Sequence, residues 1–263
     1  MMQLLKARAE TFLQYRHLIR ELVIKDIKLK YRRSFLGYFW SILNPLMIMA
    51  IMVIVFSNMF RFDIENFPVY LIIGQTLFNF LTESTTQSIF SITGNAALLK
   101  KTYVPKYAFT LSKVTSSLIN LLFSLGAMVI VFLFCRVRFT FLFLWIPFTL
   151  LQVYLFCLGL GLFLAQAAVF FRDVQYIYNA VTTAWMYLTP LFYPIETLPE
   201  YLRQMIMVYN PLYNYIFQFR MVVMYGSFPD AATILSGVMF AVFSVLIGSW
   251  CFLNTQDQFI LYI

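Results

Sequence analysis

Residues able to do chemistry are sparse in this sequence. Its 263 residues hold 11 Asp and Glu, one His and three Cys. Cys135, Cys157 and Cys251 sit singly in apolar runs with no C-x-x-C spacing, which supports neither a disulfide framework nor a zinc site. The glycines stand singly or as Gly159-x-Gly161, so no G-x-x-x-x-G-K-[ST] loop exists to cradle a nucleotide phosphate, and the chain carries no ATPase of its own. H-E-x-x-H and G-x-S-x-G are absent, as is an aspartate pair of the kind that holds magnesium for glycosyl or prenyl transfer. No catalytic residue, metal or bound cofactor is expected.

One acid stands out by position. Glu83 interrupts a run from about Phe67 to Thr93 that is otherwise free of charge. A charge at membrane depth costs roughly 2.5–3.5 kcal/mol even on the mild insertion scale, so this carboxylate is not expected to face lipid. Two readings weigh equally: Glu83 faces a polar conduit or pairs with a base on another helix, Lys113 being a candidate, or it is a protonated acid bonded to Ser84, Thr85 or Thr86. Aromatics form 19% of the chain, and Tyr178, Trp185 and Phe192, like Tyr176 and Tyr187, recur at helical spacing. Such faces can stack on sugar rings, although packing or an interfacial belt is the commoner role for a single ring.

The elements that hold these residues follow from composition. Hydrophobic residues make up 62% of the chain and charged ones 11%, against roughly 25% in soluble domains. With a mean hydropathy of +0.79, a soluble enzyme is excluded and one polytopic, all-α membrane domain is expected. The apolar runs give six transmembrane helices, at 34–60, 67–93, 107–135, 140–171, 174–192 and 231–254. Gln204 to Phe219 is charge-free but too short to cross, and Asn210-Pro211 breaks it. Proline is tolerated at a helix start and costs about 3 kcal/mol inside one, so two half-helices, 196–209 and 211–225, are expected as a re-entrant hairpin within 195–225. A pair lying on the membrane surface is the alternative.

Charge sets the orientation. Six spans put both termini on one side, where 14 Lys and Arg gather against five on the other, so both ends are expected in the cytoplasm. The net charge of +8 therefore points to a membrane surface rather than nucleic acid. The basic start is too long for a signal peptide and is expected to stay as an anchor. Within 1–33, Phe12, Tyr15, Leu18, Ile19, Leu22 and Val23 recur at three- and four-residue steps while Arg16, Arg20 and Lys28 take other faces, an amphipathic pattern. This helix, continuing into Arg32 and Arg33, either lies in the membrane interface or packs on the bundle end, turning at Ser34–Gly37 into the first span. The 94–106 loop opens at Gly94, closes at Pro105-Lys106 and fits a short surface helix. Leu98, Leu99, Tyr103 and Val104 are more apolar than an idle loop needs, so either a partner chain covers them or they rest on neighbouring spans.

Taken together, several stretches carry a specific likeness. Lys25-Asp26-Ile27-Lys28-Leu29-Lys30-Tyr31-Arg32, then Leu36-Gly37-Tyr38-Phe39-Trp40-Ser41-Ile42-Leu43-Asn44-Pro45, Lys101-Thr102-Tyr103-Val104-Pro105-Lys106 and Phe171-Arg172-Asp173-Val174 are followed by Thr189-Pro190-Leu191-Phe192-Tyr193-Pro194 and Tyr209-Asn210-Pro211-Leu212. From about residue 15 to the C-terminus the chain resembles the membrane subunit of ABC type-2 polysaccharide exporters. The resemblance implies a homodimer of six-span subunits in the bacterial cytoplasmic membrane, bound to two copies of a separate ATPase that holds ATP and Mg. The cargo it implies is lipid-linked O-antigen, capsule, teichoic acid or a related glycan. It also implies that 94–106 is a coupling element docking into the ATPase through Leu98, Leu99, Lys100, Lys101, Tyr103, Val104 and Pro105. The interface helix, with Arg20, Lys28, Arg32 and Arg33, is then a second contact, and Arg172-Asp173 a cytoplasmic turn. Since the first and fifth spans of such exporters face each other across the dimer, Tyr38, Tyr178 and Trp185 become candidates for the channel wall, with Glu83.

Three other readings compete. The same architecture serves exporters of drugs or small lipids, and a membrane glycosyl- or prenyl-transferase is the alternative from another class, disfavoured by the missing acid cluster. A purely structural scaffold would explain neither the broken hairpin nor the acid within a span.

Overall fold

A computed structural model describes residues 2–32, 34–59, 64–102 and 104–263. Arg33, Tyr103 and the end of the first expected span at Phe60 lie outside the described residues. The described chain is all-helical, with α1 (Met2–Tyr31), α2 (Trp40–Met59), α3 (Phe67–Ile89), α4 (Ala96–Leu99), α5 (Tyr107–Phe134), α6 (Ile146–Phe170), α7 (Val174–Leu188), α8 (Glu200–Tyr209), α9 (Pro211–Val223), α10 (Ala231–Thr255) and α11 (Phe259–Tyr262).

Four helical segments are long and apolar enough to cross a membrane: Gly37–Phe56, Tyr107–Phe134, Phe141–Phe170 and Ala231–Tyr262. Of the six expected spans, those at α3 and α7 are not among them. The reason differs in the two cases. α7 has 15 residues, and at 1.5 Å each it reaches only about 22 Å. α3 has 23 residues but its second half is polar. There the Thr82, Ser84, Thr85 and Ser88 hydroxyls donate to carbonyls three or four residues earlier, at 2.6–3.3 Å. This back-bonding removes the need for water.

α3 is the hub. Ile72, Ile73, Leu77 and Leu81 pack with Val114, Leu121 and Met128 of α5, Val153 and Cys157 of α6, and Tyr215, Ile216 and Phe219 of α9. α6 and α10 approach backbone to backbone: a Cβ added at Gly248 would lie 2.0 Å from the Gly159 oxygen, and one at Gly159 would lie 2.2 Å from the Ser244 carbonyl carbon. Small residues permit that approach, which provides packing contact where lipid offers no hydrophobic driving force. Ser244 Oγ adds a bond of 2.8 Å to the Phe156 carbonyl.

A buried amide cluster ties the broken hairpin to this pair. Gln218 Nε2 of α9 donates to Gln152 Oε1 of α6 at 3.1 Å and to Asn214 Oδ1 at 2.8 Å, and Asn214 Nδ2 donates to Ser236 Oγ of α10 at 2.6 Å. The space for it exists because position 237 is glycine, where a Cβ would meet Gln152 Oε1 at 2.2 Å. The break itself falls at Asn210. Pro211 starts α9, and Asn210 Oδ1 accepts from the Leu212 and Tyr213 amides at 3.1 and 3.2 Å, a side-chain N-cap. The half-helices are slightly shorter than 196–209 and 211–225.

α1 packs on the bundle rather than standing clear of it. Ile19 and Val23 are buried with Ala108 of α5, and Leu22 joins Ile92, Leu99, Phe109, Leu162, Ala165, Val169, Phe252 and Phe259. Arg16, Arg20, Lys28 and Arg32 point outward. The turn into α2 is made at Gly37, whose φ of +51° suits glycine, and its amide donates to Ser34 Oγ at 3.2 Å.

Candidate functional site

α1, α2, α3 and α5 enclose an open polar cleft of about 670 Å³. Trp40, Ser41, Asn44, Pro45 and Ile48 come from the start of α2, and Thr76, Asn79, Thr82, Glu83 and Thr86 from one face of α3. Asn120 and Ser124 of α5 and Lys30 of α1 complete it. The α3 residues recur at three- and four-residue steps, as one face of a helix requires. Another face of α3 carries the core leucines and isoleucines.

Glu83 is the electrostatic centre. Lys30 Nζ lies 2.7 Å from its Oε1, Asn120 Nδ2 donates to the same oxygen at 2.7 Å, and Gln87 Nε2 donates at 3.0 Å. The acid therefore pairs with a base on another helix, but that base is Lys30, not Lys113. Lys113 Nζ is held 2.8 Å from Asp26 Oδ1. Asp26 and Lys30 are four apart on α1, so one helical face meets both charges that interrupt the apolar runs of α3 and α5. This pairing escaped sequence reading because Asp26 and Lys30 look like each other's i,i+4 partners.

The aromatic candidates take different places. Tyr38 is exposed and lies 6.0 Å from the Phe123 ring. Tyr178 is buried, its hydroxyl donating to Thr85 Oγ1 at 2.7 Å. Trp185 Nε1 donates to Asn210 Oδ1 at 2.9 Å, and Asn210 Nδ2 to Thr189 Oγ1 at 2.9 Å, which fastens the end of α7 to the hairpin break. None of the three lines the cleft. Most of α7 is outward-facing, with Tyr176, Ile177, Val181, Tyr187 and Leu188 exposed and only Tyr178 and Thr182 buried.

Arg220, one of the five Lys and Arg that the sequence puts on the side opposite the termini, is 4% exposed. Its guanidinium donates to the Pro190 and Tyr70 carbonyls at 3.0 Å each and sits over the Tyr70 ring, 3.3 Å from the centroid. The Tyr70 hydroxyl donates to the Tyr193 carbonyl at 2.8 Å. Together they staple the Thr189–Pro194 stretch to α3. The available signal was a lone Arg between Phe219 and Met221-Val222-Val223.

At the other end, a 3-10 turn at Thr93–Asn95 leads into the four-residue α4, a shorter helix than the loop's sequence suggests. Leu98, Lys100 and Lys101 are exposed, Leu99 is buried, and Val104 and Pro105 are half-buried. Leu99 thus rests on the bundle, as one of the two alternatives for this loop has it, while Leu98 does not. Arg172 and Asp173 are exposed at the α6–α7 turn, and Arg172 lines a groove of about 370 Å³ with Phe90, Thr93 and Ala96.

Comparison with known proteins gives this arrangement its family. The ABC-2 type transporter family model matches residues 17–225, from the exposed face of α1 through the end of α9. The chain belongs to the ABC-2 transporter family. Among curated members, it is similar to the O-antigen export system permease protein RfbA of Myxococcus xanthus, 29% identical over 94% of this chain and 95% of that protein. A Klebsiella pneumoniae protein of the same description is 30% identical over 77% and 78% of the two chains. The capsule polysaccharide export inner-membrane protein CtrC of Neisseria meningitidis is 22% identical over 76% of each. The cleft, the hairpin and the 94–106 loop all fall within the matched region of this ABC-2 transporter chain.

Proposed function

We propose that the chain is the permease subunit of an ATP-driven exporter that moves a lipid-linked polysaccharide, of the O-antigen, capsule or teichoic acid kind, across the bacterial cytoplasmic membrane. The observation that carries the reading is the near end-to-end similarity to an O-antigen export permease. In this reading α2, α3, α5, α6, α7 and α10 are six spans, and both termini are cytoplasmic. α3 crosses because its polar side chains are internally bonded or face the cleft. α7 crosses by extending through the Thr189–Phe192 segment that Arg220 and Asn210 hold.

The subunit works as a homodimer with two copies of a separate ATPase, which supplies ATP and Mg chemistry; this chain binds neither. The outward face of α7, with its exposed tyrosines, and the exposed side of α2 meet the second copy around the passage. Exposed Leu98 with Lys100 and Lys101 docks on the ATPase, and buried Leu99 transmits the movement to α1, α5, α6 and α10, against which it packs. ATP favours one arrangement only if the docked loop binds the two ATPase states with different affinity.

The test is export in a bacterium lacking its own O-antigen permease and supplied with this chain and its ATPase. Surface glycan is expected with both and not with either alone. Glycan movement by the purified chain in vesicles without any ATPase would refute the reading.

A further inference from the structure

The polar cleft holds more polar groups than its own bonds consume. Asn44 and Asn79 are exposed within it, and neither side-chain amide bonds another group among the described residues. Asn79 is the thirteenth residue of the 23 in α3, near the middle of that helix, where an amide turned to hydrocarbon would be costly. All three donors to Glu83 converge on Oε1, and none among the described residues reaches Oε2. Trp40 also lines the cleft and is 42% exposed.

We propose that this cleft is a saccharide subsite, in which Asn44, Asn79 and Glu83 Oε2 bond ring hydroxyls and Trp40 stacks against a sugar face. The inference rests on the export reading and deepens it by assigning the contacts. Its chemistry is specific. A carboxylate oxygen accepts from hydroxyl groups, and an amide both donates and accepts, so paired amides suit neighbouring hydroxyls that do both. An aromatic face takes the apolar side of a pyranose. A phosphate headgroup fits less well, because the cleft's ammonium already lies 2.7 Å from a carboxylate oxygen. An acyl chain fits worse, since the α3 wall is Thr76, Asn79, Thr82 and Thr86. The volume of about 670 Å³ admits more than one sugar ring.

The experiment uses the full chain assembled with its ATPase in vesicles and lipid-linked glycan as the transported probe. Asn79→Leu and Asn44→Leu remove an amide that no described residue bonds, so the unfolding temperature is expected to hold or rise. The glycan concentration for half-maximal export should rise about fivefold to tenfold for each, as expected for one lost hydrogen bond, with the maximal rate little changed. Asn79→Gln, which keeps the amide, should recover part of the loss. Wild-type export with both variants at wild-type affinity would overturn the subsite and leave the export reading standing. A loss of export that tracks loss of the dimer would overturn it too, assigning the amides to subunit contact. If the wild-type assembly moves no glycan at all, the export reading has failed and the subsite goes with it.

Discussion

Lys30 of α1 reaches Glu83 of α3 at 2.7 Å, and with Asp26 bound to Lys113 one face of an N-terminal helix neutralises both charges embedded in apolar helices. Because the two pairs have opposite polarity, α1 fits in one register only: a slip of one turn would set Asp26 near Glu83's level or Lys30 beyond it. The Lys30–Glu83 pair is partly exposed, so its coupling is expected to be about 1 kcal/mol. Lys30→Glu and Glu83→Lys should each lower the unfolding temperature, and the double exchange should restore most of it. Strict additivity in that double-mutant cycle would show that the pair does not act.

Arg220 contributes in another way, as a buried cation shared among backbone carbonyls. Removing it takes the guanidinium donors from the Pro190, Tyr70 and Leu191 carbonyls and leaves Pro190 with the Tyr70 hydroxyl alone, so Arg220→Ala should cost about 3 kcal/mol. Tyr70→Phe, which loses only the hydroxyl's bonds to the Pro190 and Tyr193 carbonyls at 3.1 and 2.8 Å, should cost about 1–2 kcal/mol. Thermal unfolding in detergent ranks the two. Equal stability of wild type and Arg220→Ala would contradict the staple.

Glycine substitutions separate close approach from open turns. Gly248→Ala places a methyl 2.0 Å from the Gly159 oxygen, and since backbone cannot step aside, α6 and α10 must separate. Gly94→Ala meets nothing within 4 Å and should be silent. Folded yield in the membrane is expected to fall several-fold for Gly248→Ala and to stay at the wild-type level for Gly94→Ala.

The coupling proposal makes adjacent leucines behave oppositely. Leu98 is 38% exposed and Leu99 is 6% exposed. Leu98→Asp should leave the fold intact and abolish glycan export while ATP hydrolysis by the partner continues. Leu99→Asp buries a carboxylate among Leu22, Phe109 and Phe252 and should reduce folded protein itself, by about 3 kcal/mol or more. Normal export by Leu98→Asp would remove that residue from the docking surface.

Asn210 joins three elements through one side chain. Asn210→Ala removes the cap on α9 and the bonds to Trp185 and Thr189, an expected loss of about 2–3 kcal/mol. Asn210→Asp keeps the accepting oxygen and should recover the cap and the Trp185 bond but not the bond to Thr189. Trp185 fluorescence would report whether the ring is released.

Much of the fold was legible because its signals are local. Apolar runs gave the helices their places, and Asn210-Pro211 marked the hairpin break, since proline's missing N–H and an asparagine cap act within three residues. Glu83 was legible as an anomaly by its position alone. Its partner was not, because Lys30 is 53 residues away in sequence and had a nearer acid to suggest itself. The burial of Arg220 was hidden for a related reason: charge counting gives each Arg a side but no environment, and only packing brings the Pro190, Tyr70 and Leu191 carbonyls around it.

By itself, then, the sequence determined that this protein is helical, lipid-facing in bulk, without phosphate-binding or catalytic motifs, and similar to polysaccharide export permeases. These properties depend on composition, periodicity and short-range sterics. The tertiary structure alone decided which charges meet, which of two neighbouring leucines is exposed, and that the unspent amides of α2 and α3 share one cleft, because each depends on helices distant in sequence arriving at one place.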